Sequence, residues 1–289
     1  MAETPKAGTQ KSVAIVAPAC RLAPETANKV SAIAAAKYGD GVRLYFHPQC
    51  FLSAGHFAGE DAERAAAFVE AANDPAFDAV WFARGGYGAC RLGDHVFQQL
   101  GPAAKRKTYL GYSDIGFLLA RLYRDGVGSP AHGPMPSDIN RPGGEAAVAR
   151  SLDWLVNADA GGVEPSTADD APVFAFNLTV LSALLGTRAE PDFTDSVLLL
   201  EDVDEHHYQI DRALFHVTSN AGVRRVAGLK MGRFSLIPEN DPPFNKSVAE
   251  IFEYWCAKSG MANLGAADIG HDSENKIVPF GPPNSDGAA

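Results

Sequence analysis

Residues 107–123 read KTYLGYSDIGFLLARLY. Residues 107–111 are predicted to form a buried strand, and residues 115–123 carry apolar side chains at the spacing of a helix. The chain must therefore turn sharply at Tyr112, Ser113 and Asp114. A serine at such a turn exposes its hydroxyl beside backbone N–H groups of the helix start, as in a nucleophile elbow. An ordinary helix N-cap is the more common explanation of this local pattern, and the second glycine of G-x-S-x-G is missing.

Strands and helices alternate along about the first 135 residues. Predicted strands lie at 12–17, 42–47, 79–83 and 107–111, and predicted helices at 24–38, 60–73 and 115–123. This alternation is typical of a parallel sheet with helices on both faces. Ligands of such sheets bind in the crevice beyond the carboxyl ends of the strands. The Ser113 turn is therefore predicted to open onto that crevice.

A second turn, Arg84-Gly85-Gly86-Tyr87-Gly88, follows the predicted strand at 79–83. Its glycines allow the backbone to approach a ligand, and successive N–H groups can form an anion-binding nest. A flexible connecting turn is the alternative. No Gly-Lys-Ser/Thr follows, and the spacing differs from the dinucleotide fingerprint, so a phosphate loop is disfavoured.

The composition changes after about residue 157. Residues 158–172 are rich in Ala, Gly, Asp and Pro, which is typical of a linker. Helices at 177–185, 208–219 and 247–256 then alternate with strands at 197–200, 228–234, 267–271 and 276–279. We predict an N-terminal domain over 1–157, a linker over 158–175 and a smaller mixed α/β domain over 176–289.

Composition and charge narrow the class of partner. The net charge of −10 and the absence of a dense Lys/Arg cluster disfavour a nucleic acid and an anionic membrane as partners. No apolar stretch approaches ~18 residues, so no membrane span is predicted. Residues 1–11 lack the apolar core of a secretory signal, which predicts a cytoplasmic protein. The cysteines form no C-x-x-C pair and are predicted to be buried, reduced thiols: Cys20, Cys50, Cys90 and Cys256.

Two residues of the second half are further candidates. Glu201 follows the apolar run VLLL at 197–200, where its carboxylate would be able to orient a histidine. A solvated acidic turn explains it equally well. His271 stands between Gly270 and Asp272, and a lone histidine is usually structural or exposed. Neither residue, taken alone, indicates a site.

Taken together, seven segments resemble the LD-carboxypeptidase family, the murein tetrapeptide carboxypeptidases. The segments follow the family's order and span nearly the whole chain. They are VAIVAPA at 13–19, ARGGYGACRL at 83–92, GYSD at 111–114, HGPM at 132–135, NLTVLSALLGT at 177–187, LEDVDEHHYQIDRAL at 200–214 and IGHDSENKIVPFG at 269–281.

The resemblance implies a serine hydrolase whose triad falls on Ser113, Glu201 and His271. It places the serine in an N-terminal flavodoxin-like domain, and the other two residues in a smaller C-terminal swivelling β/α domain. Family members are usually homodimers and use no metal or cofactor. They hydrolyse an L-to-D peptide bond, releasing D-alanine from cytoplasmic murein tetrapeptides during peptidoglycan recycling.

Residues around the expected nucleophile have predicted supporting roles. Backbone N–H groups of Gly86 (or Gly85) and Asp114 are candidates for the oxyanion hole. Arg84 is a candidate for the terminal carboxylate of the substrate, and Tyr87 for another substrate contact.

The microcin-immunity peptidases are the nearest alternative, since they share this triad and fold but cleave peptidyl-nucleotides. An aromatic side chain that stacks on a base would favour them, and Tyr87, Phe176 and Tyr112 are candidates. A catalytically inactive peptide-binding protein and a nucleotide- or flavin-binding protein are more distant alternatives. Ala175 and Phe176 also replace a Gly-Gly pair of many family members. We expect that loop to be stiffer and Phe176 to narrow a pocket.

Overall fold

The first half of the chain folds around a parallel sheet, in a computed structural model that describes residues 10–168 and 170–282. Short apolar segments form its strands because helices cover both faces of the sheet; in β1, for example, five of the six residues are buried. The strands are β1 (Lys11–Val16), β2 (Val42–Phe46), β3 (Ala79–Phe82), β4 (Thr108–Gly111) and β5 (Ser129–His132). Their order in the sheet is β2-β1-β3-β4-β5, the flavodoxin-like order, with its switch point between β1 and β3.

Helices cover the two faces of this sheet. The helices are α1 (Pro24–Tyr38), α2 (Asp61–Asn73), α3 (Asp94–Gln98), α4 (Gly116–Arg124) and α5 (Gly144–Asn157). Apolar side chains of α1 and α5 pack on one face, and those of α2 and α4 on the other. The sequence did not predict β5 or α5, because residues 124–157 have many Gly, Pro and Ala residues and a weak pattern.

The second half forms a separate, fully parallel sheet. Its strands are β6 (Val173–Asn177), β7 (Val197–Val203), β8 (Gly228–Ser235) and β9 (Asn263–Ala266), in the order β6-β7-β8-β9. Its helices are α6 (Leu178–Leu184), α7 (His207–Ser219) and α8 (Val248–Ser259). The predicted strand at 267–271 is wrong, since the strand lies at β9 and residues 267–271 form the loop after it. The predicted α/β architecture, a flavodoxin-like parallel sheet with a smaller second unit, is confirmed.

The last described segment connects the two sheets. After β9 the chain returns to the first sheet, where β10 (Val278–Pro279) pairs antiparallel with β5. β10 therefore belongs to the first sheet although it lies within the range that we assigned to the second domain. Similarly, β6 begins at Val173, within the range that we assigned to the linker.

Short 3-10 turns complete the secondary structure. They lie at Gly39–Gly41, Pro48–Phe51, Ala89–Leu92, Ala104–Arg106, Ser113–Ile115, Pro136–Asn140, Ala160–Gly162, Pro165–Ala168 and Val223–Arg225. Within the described ranges, no helix is long and apolar enough to cross a membrane.

Phe176 packs where the two halves meet. It is 1% exposed in β6, and its ring lies 6.1 Å from that of Phe193 and 5.2 Å from that of Phe280. A Cβ added to Gly116 at the start of α4 would lie 3.3 Å from the Phe176 ring. The expectation that Phe176 narrows a pocket is therefore wrong, because its segment is a buried strand and not a loop.

The cysteines only partly fit the prediction of buried thiols. All are free; Cys20, Cys50 and Cys256 are buried, but Cys90 is exposed.

Candidate active site

Ser113 lies on a strained turn at the carboxyl end of β4. Its φ angle is 60°, in the left-handed region that residues other than glycine rarely adopt. Gly111 permits the sharp turn, because an added Cβ would lie 3.0 Å from the Ile115 side chain and 3.2 Å from Phe82. The Ser113 side chain does not cap α4. The nucleophile-elbow interpretation therefore describes this turn better than a helix cap.

The structure brings the three predicted triad residues into one hydrogen-bonded line. His271 Nε2 lies 3.1 Å from Ser113 Oγ, and His271 Nδ1 lies 2.6 Å from Glu201 Oε2. When Nδ1–H donates to the carboxylate, Nε2 is free to accept the hydroxyl proton of Ser113. Ser113 comes from the first sheet, Glu201 from β7 of the second, and His271 from the loop after β9.

Charge and burial set the basicity of His271. Burial disfavours the imidazolium, but the charge of Glu201 and its hydrogen bond outweigh burial and raise the pKa of His271 above the ordinary value. Glu201 is fully buried, and within the described residues its Oε1 has no hydrogen-bond partner. The negative charge of this carboxylate is therefore directed at the imidazole.

Tyr112 supports the histidine from the side, a role that the sequence did not predict. Its ring lies 4.8 Å from the His271 ring, and its hydroxyl donates to Asp138 Oδ1 at 2.8 Å. Arg141 Nε donates to the same oxygen at 3.0 Å, and Arg141 Nη1 donates to the backbone oxygen of His271. This network fixes both the ring and the backbone of His271.

His132 is not a second base of the site. It is buried, its Nε2 lies 3.0 Å from Asn275 Oδ1, and burial lowers its pKa to about 4. The imidazole is therefore neutral at physiological pH. Its ring packs 5.3 Å from Tyr112, so it serves as an uncharged packing partner.

The glycine-rich turn after β3 lies against the serine. A Cβ added to Gly85 would lie 3.2 Å from Ser113 Oγ, and one added to Gly86 (φ +103°) would lie 2.5 Å from Cys20 Sγ. The Asp114 carboxylate is turned toward this same loop, where it accepts a hydrogen bond from Ala89 N at 2.8 Å. Burial raises the pKa of Asp114 to about 6.

A buried arginine holds the neighbouring loops in place. The Arg64 side chain is fully buried and donates to the backbone oxygens of Pro18 and of Gly88, the latter at 2.9 Å. It also pairs with Asp61 at the start of α2. Arg64 therefore ties the loop after β1 to the loop after β3, and no sequence motif indicated this role.

The two predicted substrate-binding residues are both accessible. Arg84 is exposed and donates to the backbone oxygen of Arg21 at 3.5 Å. Tyr87 is 50% exposed. Of the three predicted stacking residues, Tyr112 and Phe176 are each 1% exposed and unavailable to a ligand, because both are packed in the core. Only Tyr87 remains a candidate.

Gly86→Ala is expected to lower kcat about 100-fold. Its side chain would meet Cys20 and strain a positive φ, which displaces the predicted N–H donor, and loss of one oxyanion-hole donor typically costs about 10²- to 10³-fold. Gly126→Ala is the matched control, since Gly126 has a φ of +63° but open space around it. Steady-state kinetics measure kcat of both variants. Equal kcat values would contradict the assignment of the Gly86 N–H to the oxyanion hole.

Within the part of the chain that the structure describes, no group of three or more His, Cys, Asp or Glu residues is arranged to hold a metal ion.

Comparison with known proteins gives matches over most of the chain. Residues 13–133 match the LD-carboxypeptidase N-terminal domain, and residues 171–284 match the C-terminal domain. A putative carboxypeptidase of Synechocystis is 30% identical over an alignment of 241 residues that covers 78% of this chain and 75% of that protein. The murein tetrapeptide carboxypeptidase of Pseudomonas aeruginosa is 27% identical over an alignment of 243 residues that covers 78% of each chain.

Solved structures share the fold. The muramoyltetrapeptide carboxypeptidase of Oxalobacter formigenes superposes with a TM-score of 0.78 at 22% identity, over 94% of this chain and 93% of that one. MccF in complex with glutamyl sulfamoyl guanosine superposes with a TM-score of 0.76 at 15% identity, over 95% and 92%. At these identities the likeness concerns the fold alone.

Proposed function

Because the chain belongs to the LD-carboxypeptidase family, we propose that it is a serine carboxypeptidase that releases D-alanine from murein tetrapeptides by hydrolysing an L-to-D peptide bond. The hydrogen-bonded line from Ser113 through His271 to Glu201 carries this proposal. By the family's pattern the enzyme acts as a homodimer in the cytoplasm, uses no metal or cofactor, and serves peptidoglycan recycling.

The proposed reaction begins with attack of Ser113 Oγ on the scissile carbonyl while His271 Nε2 takes its proton. Glu201 stabilises the imidazolium that forms. Backbone N–H groups of Gly86 (or Gly85) and Asp114 receive the oxyanion, each contributing about 3 kcal/mol. The imidazolium then protonates the leaving amine, so D-alanine departs. Water, activated by the same imidazole, hydrolyses the acyl-enzyme.

The acid limb of kcat/KM is expected to have its midpoint above pH 6.5. The free enzyme needs a neutral imidazole, and the pKa of His271 is raised above 6.5, so activity is lost as the pH falls through that raised value. Protonation of Asp114, whose pKa is about 6, adds a second acid step. A pH profile of the wild type and of Asp114→Asn separates the two steps. A midpoint below 6.5 in Asp114→Asn would contradict the basicity assigned to His271.

Incubation with a murein tetrapeptide, with free D-alanine followed by mass spectrometry, tests the substrate. Release by the purified chain supports the proposal. If the chain reacts with a serine-directed probe but releases no D-alanine, it is a serine hydrolase whose substrate is not the murein tetrapeptide.

A peptidyl-nucleotide is the second candidate substrate. The exposed ring of Tyr87 beside the glycine-rich turn favours it, as does the shared fold with MccF. Assaying a peptidyl-nucleotide next to the tetrapeptide compares the two directly.

Light scattering of the purified chain tests the homodimer.

A further inference from the structure

A cavity of about 260 Å³ lies at the carboxyl ends of the first sheet's strands, and Arg141, which lines it, donates to the backbone oxygen of His271. Its walls come from the loops after β1, β3 and β5. Three arginines line it, Arg21, Arg84 and Arg141, and we call it the arginine pocket. Thr26 and Asn140 also line it, and the Asn140 amide donates to the Thr26 hydroxyl at 2.9 Å.

The arginine pocket carries an excess of positive charge in a chain whose net charge is −10. Arg141 pairs with Asp138, but among the described residues Arg21 and Arg84 have no ion-pair partner. Asp138 is the one acidic residue that lines the pocket, and it already accepts from Tyr112, Met135 N and Arg141. Two guanidinium groups therefore remain for an anion.

A helix start adds to this charge. α1 begins at Pro24, and Ala23, which lines the pocket, offers no side-chain cap. Pro24 has no N–H, and the N–H of Thr26 donates to the backbone oxygen of Ala23 at 3.0 Å, so this helix start contributes through its dipole and not through a row of free N–H groups. Glu25 in the same turn is exposed.

The arginine pocket lies on the histidine's side of the nucleophile. Arg141 binds the backbone oxygen of His271, and Asp138 binds the hydroxyl of Tyr112, whose ring packs on the imidazole. The imidazole is the group that protonates the leaving amine in serine hydrolysis. The residue that leaves must therefore lie on this side.

We infer that the arginine pocket binds the terminal carboxylate of the residue that the enzyme releases, with Arg21 as a specificity-determining residue beside Arg84. The inference rests on the proposed carboxypeptidase function. The cavity of about 260 Å³ has room for one small residue with its terminal carboxylate. Binding of that carboxylate by arginines would favour cleavage at a chain end.

The test compares kcat/KM for a tetrapeptide that has a free terminal carboxylate with kcat/KM for the same peptide as a terminal carboxamide. The wild type is expected to prefer the free acid about 10- to 100-fold, as for a charge-assisted hydrogen bond. Arg21→Gln is expected to lower this preference about tenfold by slowing only the acid. Arg106→Gln is the matched control, because Arg106 is exposed at the amino end of β4. It should change neither rate.

The outcomes separate the pocket from the reaction. Equal rates for acid and amide in the wild type, or an equal loss of both rates in Arg21→Gln, would contradict carboxylate binding in the arginine pocket. Neither result would contradict the proposed hydrolase activity. If neither peptide is cleaved, the proposed function fails. Calorimetry with D-alanine and D-alaninamide still tests the pocket in that case. Wild type that binds D-alanine no more tightly than the amide would overturn it.

Discussion

Ser113→Ala is expected to lower kcat by about 10⁴- to 10⁶-fold and to leave substrate binding nearly intact. The side chain that attacks is removed, but the arginine pocket, the glycine-rich turn and the histidine network stay in place. Alanine tolerates the φ of 60° no better than serine does, so the thermal midpoint of unfolding should change little. Turnover of the tetrapeptide and calorimetry of its binding measure the two effects separately.

Ser129→Ala is the matched control for that change, since Ser129 is exposed at the start of β5 in the same sheet. A fluorophosphonate probe should label the wild type and Ser129→Ala but not Ser113→Ala. Labelling or wild-type turnover of Ser113→Ala would eliminate Ser113 as the nucleophile.

Glu201→Gln is expected to lower kcat by about 10³- to 10⁴-fold without unfolding the protein. The amide cannot stabilise an imidazolium, and the loss of charge lowers the pKa of His271. The acid limb of the pH profile should therefore move to lower pH. Because the carboxylate is fully buried and one of its oxygens has no partner, the neutral amide should keep or raise the free energy of unfolding.

Asp202→Asn is the control for this substitution. Asp202 is the next residue and is also buried, but it binds Asn177 at 2.6 Å and Thr179 at 2.9 Å and makes no hydrogen bond to His271. The Asp202→Asn variant should retain most of the wild-type activity. A Glu201→Gln variant as active as Asp202→Asn would remove Glu201 from the proposed mechanism.

The sequence predicted the serine turn and the first sheet because both depend on local pattern. Apolar strands, helical spacing and the glycine at 111 all lie within a few residues of Ser113. Glu201 and His271 carried no such signal. They lie 70 residues apart in the sequence, and His271 lies 158 residues after Ser113. Only the resemblance to a family connected them.

Other parts of the site depend on packing that no pattern reveals. Tyr112 was predicted as a possible stacking residue, but its ring is buried against His271 and its hydroxyl is bound to Asp138. Arg141 lies in a Pro- and Gly-rich stretch without periodicity, yet it contacts both Asp138 and His271. The sequence predicted a strand at 276–279, but it did not predict that β10 pairs antiparallel with β5 of the first sheet, because that partner lies far back in the chain.

The order of β9, His271 and β10 along the chain also determines when each part of the site is synthesised. The serine's sheet and most of the second sheet emerge from the ribosome before the imidazole that would activate Ser113. The strand at 278–279, which anchors this segment to the serine's sheet, emerges later still. A nascent chain that stops before these residues can present its serine but cannot activate it. Hydrolytic competence would therefore arise only after residues 271–279 have emerged from the ribosome, so that a chain interrupted earlier would lack the proposed activity.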